Sequence, residues 1–198
     1  MPVTPSTMLD LGTTMPSFRL PDADGASLSS DQFRGTAGLL VVFICPHCPF
    51  ERHIRRAFSQ FAREYQARGL SIVAINSNDQ VAFPDDSPEG MKKEAEDMDY
   101  TFPYLVDESQ DVAKAFHAAC TPDFFLFDRG RKLVYRGQFD DSRPNNQIPV
   151  TGSDLRNAAD ALLEGRTPSP NQKPSYGCNI KWKAGNEPEY FQGEKIPV

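Results

Sequence analysis

Six consecutive apolar residues, Leu39-Leu40-Val41-Val42-Phe43-Ile44, follow Gly38 and run directly into Cys45-Pro46-His47-Cys48. A short apolar run bounded by a glycine and a proline-containing turn predicts a fully buried strand. The pattern then changes period. Phe50, Ile54, Phe58, Phe61 and Tyr65 recur at spacings of four, four, three and four, and Arg52, Arg55, Arg56 and Arg63 fall off that stripe. This predicts an amphipathic helix. Gly69 closes it, and Leu70 to Ile75 is a second buried strand. Strand, helix, strand in that order is a parallel pair with a right-handed crossover.

The same reading predicts the flanking elements. Phe18 to Leu20 is a short strand and Pro21 to Gly25 a turn; Leu28 and Phe33 mark a helical turn before Gly35. Asn76 to Ser87 is a polar loop at the carboxyl edge of the second strand, where open α/β sheets hold ligands, with Asn76, Asn78 and Asp79 as candidate lining. Helices are expected over Pro88–Met98, Gln110–Ala118 and Ser153–Leu163, and a short strand over Phe102–Val106. Asp123–Asp128 and Lys132–Tyr135 form a hairpin about Arg129-Gly130. Residues 1–14 read as a loose leader. Beyond Gly165 the chain turns proline-rich and loses periodicity, so 166–198 reads as an irregular surface tail, not a second domain.

Composition narrows the classes. A chain of 198 residues with 39% hydrophobic and 24% charged content can fold as one domain with a substantial core. Its net charge of −6 argues against a nucleic-acid partner. No apolar run approaches membrane-spanning length, and Met1 to Thr14 has neither a basic nor an apolar signal region; the expected location is cytoplasmic. Between Asp79 and Asp111 lie eleven acidic residues against Lys92 and Lys93, a stretch read first as a solvated acidic face.

The C-x-x-C stands at the strand-to-helix junction, with Cys45 expected near the helix start and Cys48 one turn in. A helix N-terminus presents unpaired N–H groups and the positive end of the dipole, which favour a thiolate. Such placement lowers a cysteine pKa from about 8.5 into a range of about 3.5 to 7.5. The chemistry this predicts is a dithiol–disulfide couple.

The layout resembles the thioredoxin fold, and within it the redoxin group of AhpC/TSA peroxiredoxins and TlpA/ResA-type thiol-disulfide proteins. The residues carrying the likeness are the strand–CPHC–helix junction, the opening Pro16-Ser17-Phe18 with Asp24-Gly25 and Leu28, and Thr121-Pro122 before the Phe124–Asp128 strand. It covers about residues 12–165 and implies a three-layer α/β/α sandwich with a mixed central sheet, followed by the irregular tail. Pro122 is then expected to be cis and, with Thr121, to dock substrate. Cys45 falls on the family's exposed attacking cysteine and Cys48 on the resolving one. Pro46 and His47 would tune the couple, the imidazolium favouring a Cys45 thiolate.

The resemblance also carries an alternative. Peroxiredoxins place their peroxidatic cysteine at Cys48, but the supporting proline, threonine and arginine positions are here Val41, Cys45 and Pro122. Without a cation and hydroxyl on the leaving oxygen, peroxide cleavage should suffer. Exchange is therefore preferred to peroxidase, with Arg52 or Arg55 as substitutes if peroxide is turned over, and a non-enzymatic redox sensor or binding module as a further alternative. Cys120, two residues before Pro122, and Cys178 in the tail are a possible second redox pair, or a relay in which Cys178 resolves a disulfide and hands it on. The competing readings are an unpaired, buried Cys120 with an inert Cys178, or a static staple. No cofactor and no metal is expected. Expected partners are protein or small-molecule thiols and disulfides, such as a thioredoxin or glutathione system; the sequence leaves the oligomeric state open.

Overall fold

The computed structural model describes residues 3–191; residues 1–2 of the expected leader and 192–198 of the expected tail lie outside it. In chain order the elements are β1 (Val3–Pro5), β2 (Arg19–Pro21), β3 (Ser27–Ser29), β4 (Gly38–Phe43), α1 (Pro49–Gln66), β5 (Leu70–Asn76), α2 (Pro88–Asp97), β6 (Tyr104–Val106), α3 (Asp111–Ala115), β7 (Cys120–Thr121), β8 (Asp123–Asp128), β9 (Leu133–Gly137), α4 (Ser153–Leu163) and β10 (Tyr176–Asn179).

The central sheet has the order β6-β5-β4-β8-β9. β4 runs parallel to β5, and β5 to β6, whereas β4–β8 and β8–β9 are antiparallel. Alternation along β4 divides the core. Leu40, Val42 and Ile44 pack with Ile54, Phe58 and Phe61 of α1, Met91 of α2 and Leu155 and Ala159 of α4. Leu39, Val41 and Phe43 face the other way, toward Phe116, Ala113 of α3 and Phe18. Because both faces are covered, the sheet reads as continuous apolar runs, and the result is the expected three-layer thioredoxin-like sandwich.

Four expectations change. The helix expected over Gln110–Ala118 is only α3, because Gln110 and His117 take left-handed backbone angles (φ 67° and 52°) at either end. The acidic stretch is not all solvated: Asp86, Glu94 and Asp107 are buried. The tail is not irregular throughout. β10 is the middle strand of a second, antiparallel sheet, β1-β10-β7, in which Cys178 lies opposite both Val3 and Thr121. The start of the leader is thus also a strand. Among the described residues no helix is long and apolar enough to cross a membrane.

Candidate active site

Pro49 occupies the first position of α1, where a missing N–H costs nothing and its fixed φ suits the helix. The helix therefore begins one residue after the motif, and Cys48, not Cys45, is its N-cap. This corrects the expectation that Cys45 stands at the helix tip. Cys45, Cys48 and Cys178 form one buried cluster against Phe50. Cys45 and Cys48 are both 0% exposed, so Cys45 is not the open attacking cysteine the resemblance implied and exposure does not choose between the two; β10 lies over the pair. Thr121–Pro122 is cis, as expected. The Thr121 hydroxyl is 3.4 Å from Cys45 Sγ and its carbonyl oxygen 3.0 Å from Cys48 Sγ.

The register separates the two remaining cysteines. Cys178 pairs across from Thr121, and Asn179 from Cys120, so Cys178 and Cys120 project to opposite faces of the small sheet. Cys178 joins the sulfur cluster, while Cys120 turns its thiol back toward the Pro122 carbonyl at 3.7 Å. The structure does not bring Cys120 and Cys178 together as a second pair.

His47 is held from three sides. Asp86 accepts its backbone N–H at 3.1 Å and its Nδ1–H at 2.5 Å, and Phe83 stacks on the ring with centroids 5.3 Å apart. Asp86 is fixed in turn by Asn78 Nδ2 on its carboxylate and Asn76 Nδ2 on its carbonyl, both at 2.8 Å. The loop asparagines thus orient the site through Asp86. His47 Nδ1 also lies 3.7 Å from Cys45 Sγ. Cys45, His47 and Asp86 offer three ligand atoms within 4.8 Å of one another. The direct His47–Asp86 bond would have to break before a metal ion took them, and because both contacts fall on the same ring nitrogen, whose proton goes to Asp86, the ring is fixed beside the sulfur without relaying a proton through it. Cys120 is no part of this group.

The electrostatics follow this placement. Burial pushes the Cys45 thiol well above its usual range, and Cys48 and the Asp86 carboxylate push it further against the Thr121 hydroxyl. Burial also acts upward at Cys48. There, hydrogen bonds from Cys178, Cys45 and Thr121 and the nearby Glu51 amide prevail, and the thiol falls well below its usual range. The Thr121 carbonyl opposes them, because only a protonated sulfur can donate to it. The reduced site therefore carries its negative charge on the helix-capping sulfur. Cys45→Ser is expected to keep a thiolate at pH values below the ordinary thiol pKa of about 8.5, and Cys48→Ser to lose it. Ultraviolet titration of the two variants checks this; the reverse order would return the charge to Cys45.

Sequence reasoning missed Asp86, which was absorbed into the acidic stretch, and the buried Glu51–Glu94 pair behind the helix tip. The oxygens Glu51 Oε2 and Glu94 Oε1 are buried without a donor, while Tyr100 donates to Glu51 Oε1 at 2.9 Å. Arg52 is committed to the Pro46 carbonyl at 2.7 Å and Arg55 to Glu94 at 3.6 Å. Both border a cleft of about 460 Å³ beside Pro46, walled also by Pro84, Lys93 and Asp97.

Residues 11–136 match the model of the AhpC/TSA family. Thiol-disulfide oxidoreductase ResA of Geobacillus thermodenitrificans is 28% identical over 131 residues, 66% of this chain and 70% of that protein. A putative peroxiredoxin of Mycobacterium tuberculosis is 29% identical over 118 residues, 59% of this chain and 69% of that protein. Among solved structures, an uncharacterized conserved protein of Geobacillus kaustophilus matches with a TM-score of 0.90 at 54% identity, covering 92% of this chain and 97% of that one.

Proposed function

Because this chain belongs to the AhpC/TSA family, we propose that it is a thiol-disulfide oxidoreductase working through a Cys45–Cys48 dithiol–disulfide couple. The observation that carries the reading is the pair of sulfurs gathered at the capping position of α1, in contact with each other and with Thr121 before Pro122. A thiolate of the pair attacks a substrate disulfide and forms a mixed disulfide; the second sulfur displaces the substrate thiol and closes the bridge. The contacts on Cys48 favour it as the first thiolate. Cys45, whose thiol is the more readily protonated, then faces His47 Nδ1. The ResA likeness supports exchange as the reaction and thiols and disulfides as the substrate class. A thioredoxin or glutathione electron donor, and the cytoplasm as a compartment that keeps its cysteines reduced, belong to the same proposal.

The peroxidase reading draws on one observation, the thiolate-stabilising contacts at the family's peroxidatic position, Cys48. The two candidate guanidinium substitutes, Arg52 and Arg55, are engaged with Pro46 and Glu94. Stopped-flow oxidation by hydrogen peroxide is expected to run within about tenfold of free cysteine, because neither Arg52 nor Arg55 is free to stabilise the departing oxygen. A rate many orders higher would replace exchange by peroxidase. Catalytic reduction of insulin in dithiothreitol tests the proposal itself. Multiple turnovers support it, and a single stoichiometric oxidation would make the site a sensor.

A further inference from the structure

β10 lies along Thr121, in the segment that the resemblance assigns to substrate docking. It runs antiparallel to β7, immediately before Pro122, and continues as a ladder on both edges, to Val3–Pro5 on one side and Cys120–Thr121 on the other. Beyond it the chain stays fastened: Ile180 N–H donates to the Ala119 carbonyl at 3.1 Å, and Lys181 N–H to Asn78 Oδ1 at 2.8 Å. The approach is close enough to dictate a residue. A Cβ on Gly177 would stand 1.9 Å from the Thr121 carbonyl oxygen and 3.2 Å from Pro122 N, so only glycine lets the strand seat here. The next residue, Cys178, then delivers its sulfur to Cys48, and it is 2% exposed. What the strand presents is a third thiol touching the pair.

We propose that Cys178 is a third redox-active cysteine, which exchanges with the Cys45–Cys48 bridge to give a Cys48–Cys178 disulfide that fastens β10 over the pair. The inference rests on the Cys45–Cys48 couple proposed above. In the step, Cys178 sulfur attacks Cys48 Sγ, the Cys45–Cys48 bond breaks, and the Cys178 proton passes to the departing Cys45 sulfur. One dithiol–disulfide set becomes another, and no outside oxidant enters. Cys45 is left as a free thiol between His47 and the Thr121 hydroxyl. Cys48 is therefore the sulfur common to both bridges, and the tail behaves as a tethered thiol substrate that an external one must displace.

The test uses full-length Cys45→Ser and Cys178→Ser chains in a glutathione redox buffer, with peptide mass mapping under non-reducing conditions. In C45S, glutathione disulfide oxidises Cys48, and Cys178 is expected to displace the glutathione, giving a Cys48–Cys178 linked peptide as the major oxidised species. The wild-type chain, which does not depend on how C45S folds, is expected to show the same linked peptide alongside the Cys45–Cys48 one. Cys178 found free in both, with Cys48 carrying glutathione in C45S, overturns the inference. If C178S still forms the Cys45–Cys48 bridge in that buffer, the couple stands without its third member. If C178S forms no such bridge, the couple itself fails and this inference falls with it.

Discussion

Cys48→Ala is expected to abolish disulfide exchange, lowering insulin turnover by at least about 1,000-fold, the scale on which an enzyme loses rate with its nucleophile. Cys48 caps α1 and touches Cys45, Cys178 and Thr121. Removing it leaves Cys45 with a thiol pushed up by burial, beside a carboxylate that opposes its ionisation further. Cys45→Ala, by contrast, retains the sulfur on which the thiolate-stabilising contacts converge. It should still attack a substrate disulfide, and with Cys178→Ser added, so that no neighbouring thiol can displace the substrate, the mixed disulfide should persist on denaturing non-reducing gels. The two losses are thus different in kind: C48A captures nothing, and C45A with Cys178→Ser captures without release. Turnover by C48A within about tenfold of the wild type would remove Cys48 from the chemistry.

The division of roles between those sulfurs was not legible along the chain, and the reason is local. The apolar run 39–44 and the stripe from Phe50 to Tyr65 gave β4 and α1 because each has one period and is buried as that period requires. The spacing could not say on which side of Pro49 the first free amides lie. Reading the proline as the first helical residue, as it is, would have moved the helix tip from Cys45 to Cys48. The tail failed differently. Tyr176-Gly177-Cys178-Asn179 is too short and too mixed to show alternation, and its ladder partners lie at the start of the chain and just before Pro122. Only contacts distant in sequence make it a strand. Asp86 belongs to the same class: its role depends on His47, 39 positions earlier, and nothing in Pro84-Asp85-Asp86 distinguishes the buried carboxylate from its exposed neighbour.

Glu51→Gln is expected to stabilise the fold increasingly as pH rises, by on the order of 1–3 kcal/mol at the alkaline end, the scale of a buried polar group left without its partner. Glu51 is 1% exposed, in the first turn of α1, and packs against the buried Glu94. Two ionised carboxylates are both acceptors, and the Arg55 guanidinium, 3.6 Å from Glu94 Oε1, stands beyond hydrogen-bond reach, so one shared proton satisfies Glu51 Oε2 and Glu94 Oε1 together. Burial, then the charge of Glu94 and its hydrogen bond, push Glu51 well above the usual carboxylate range, although Tyr100 opposes them. Glu94 is also raised by burial, but its bond to Glu51 and the Arg55 guanidinium pull it back. The proton therefore belongs to Glu51. Its folded pKa exceeds its unfolded value of about 4.3, so its contribution to stability is complete below that pH and is lost as pH rises through the folded value. Glutamine keeps a donor toward Glu94 and cannot ionise. Urea unfolding between about pH 5 and about pH 9 should show wild-type stability declining more steeply than that of E51Q. Curves for the two chains that run parallel over this range would mean that Glu51 is already charged in the fold. In that case a negative charge would stand one helical turn from the Cys48 sulfur, and the low thiol pKa assigned to that sulfur would fail with it.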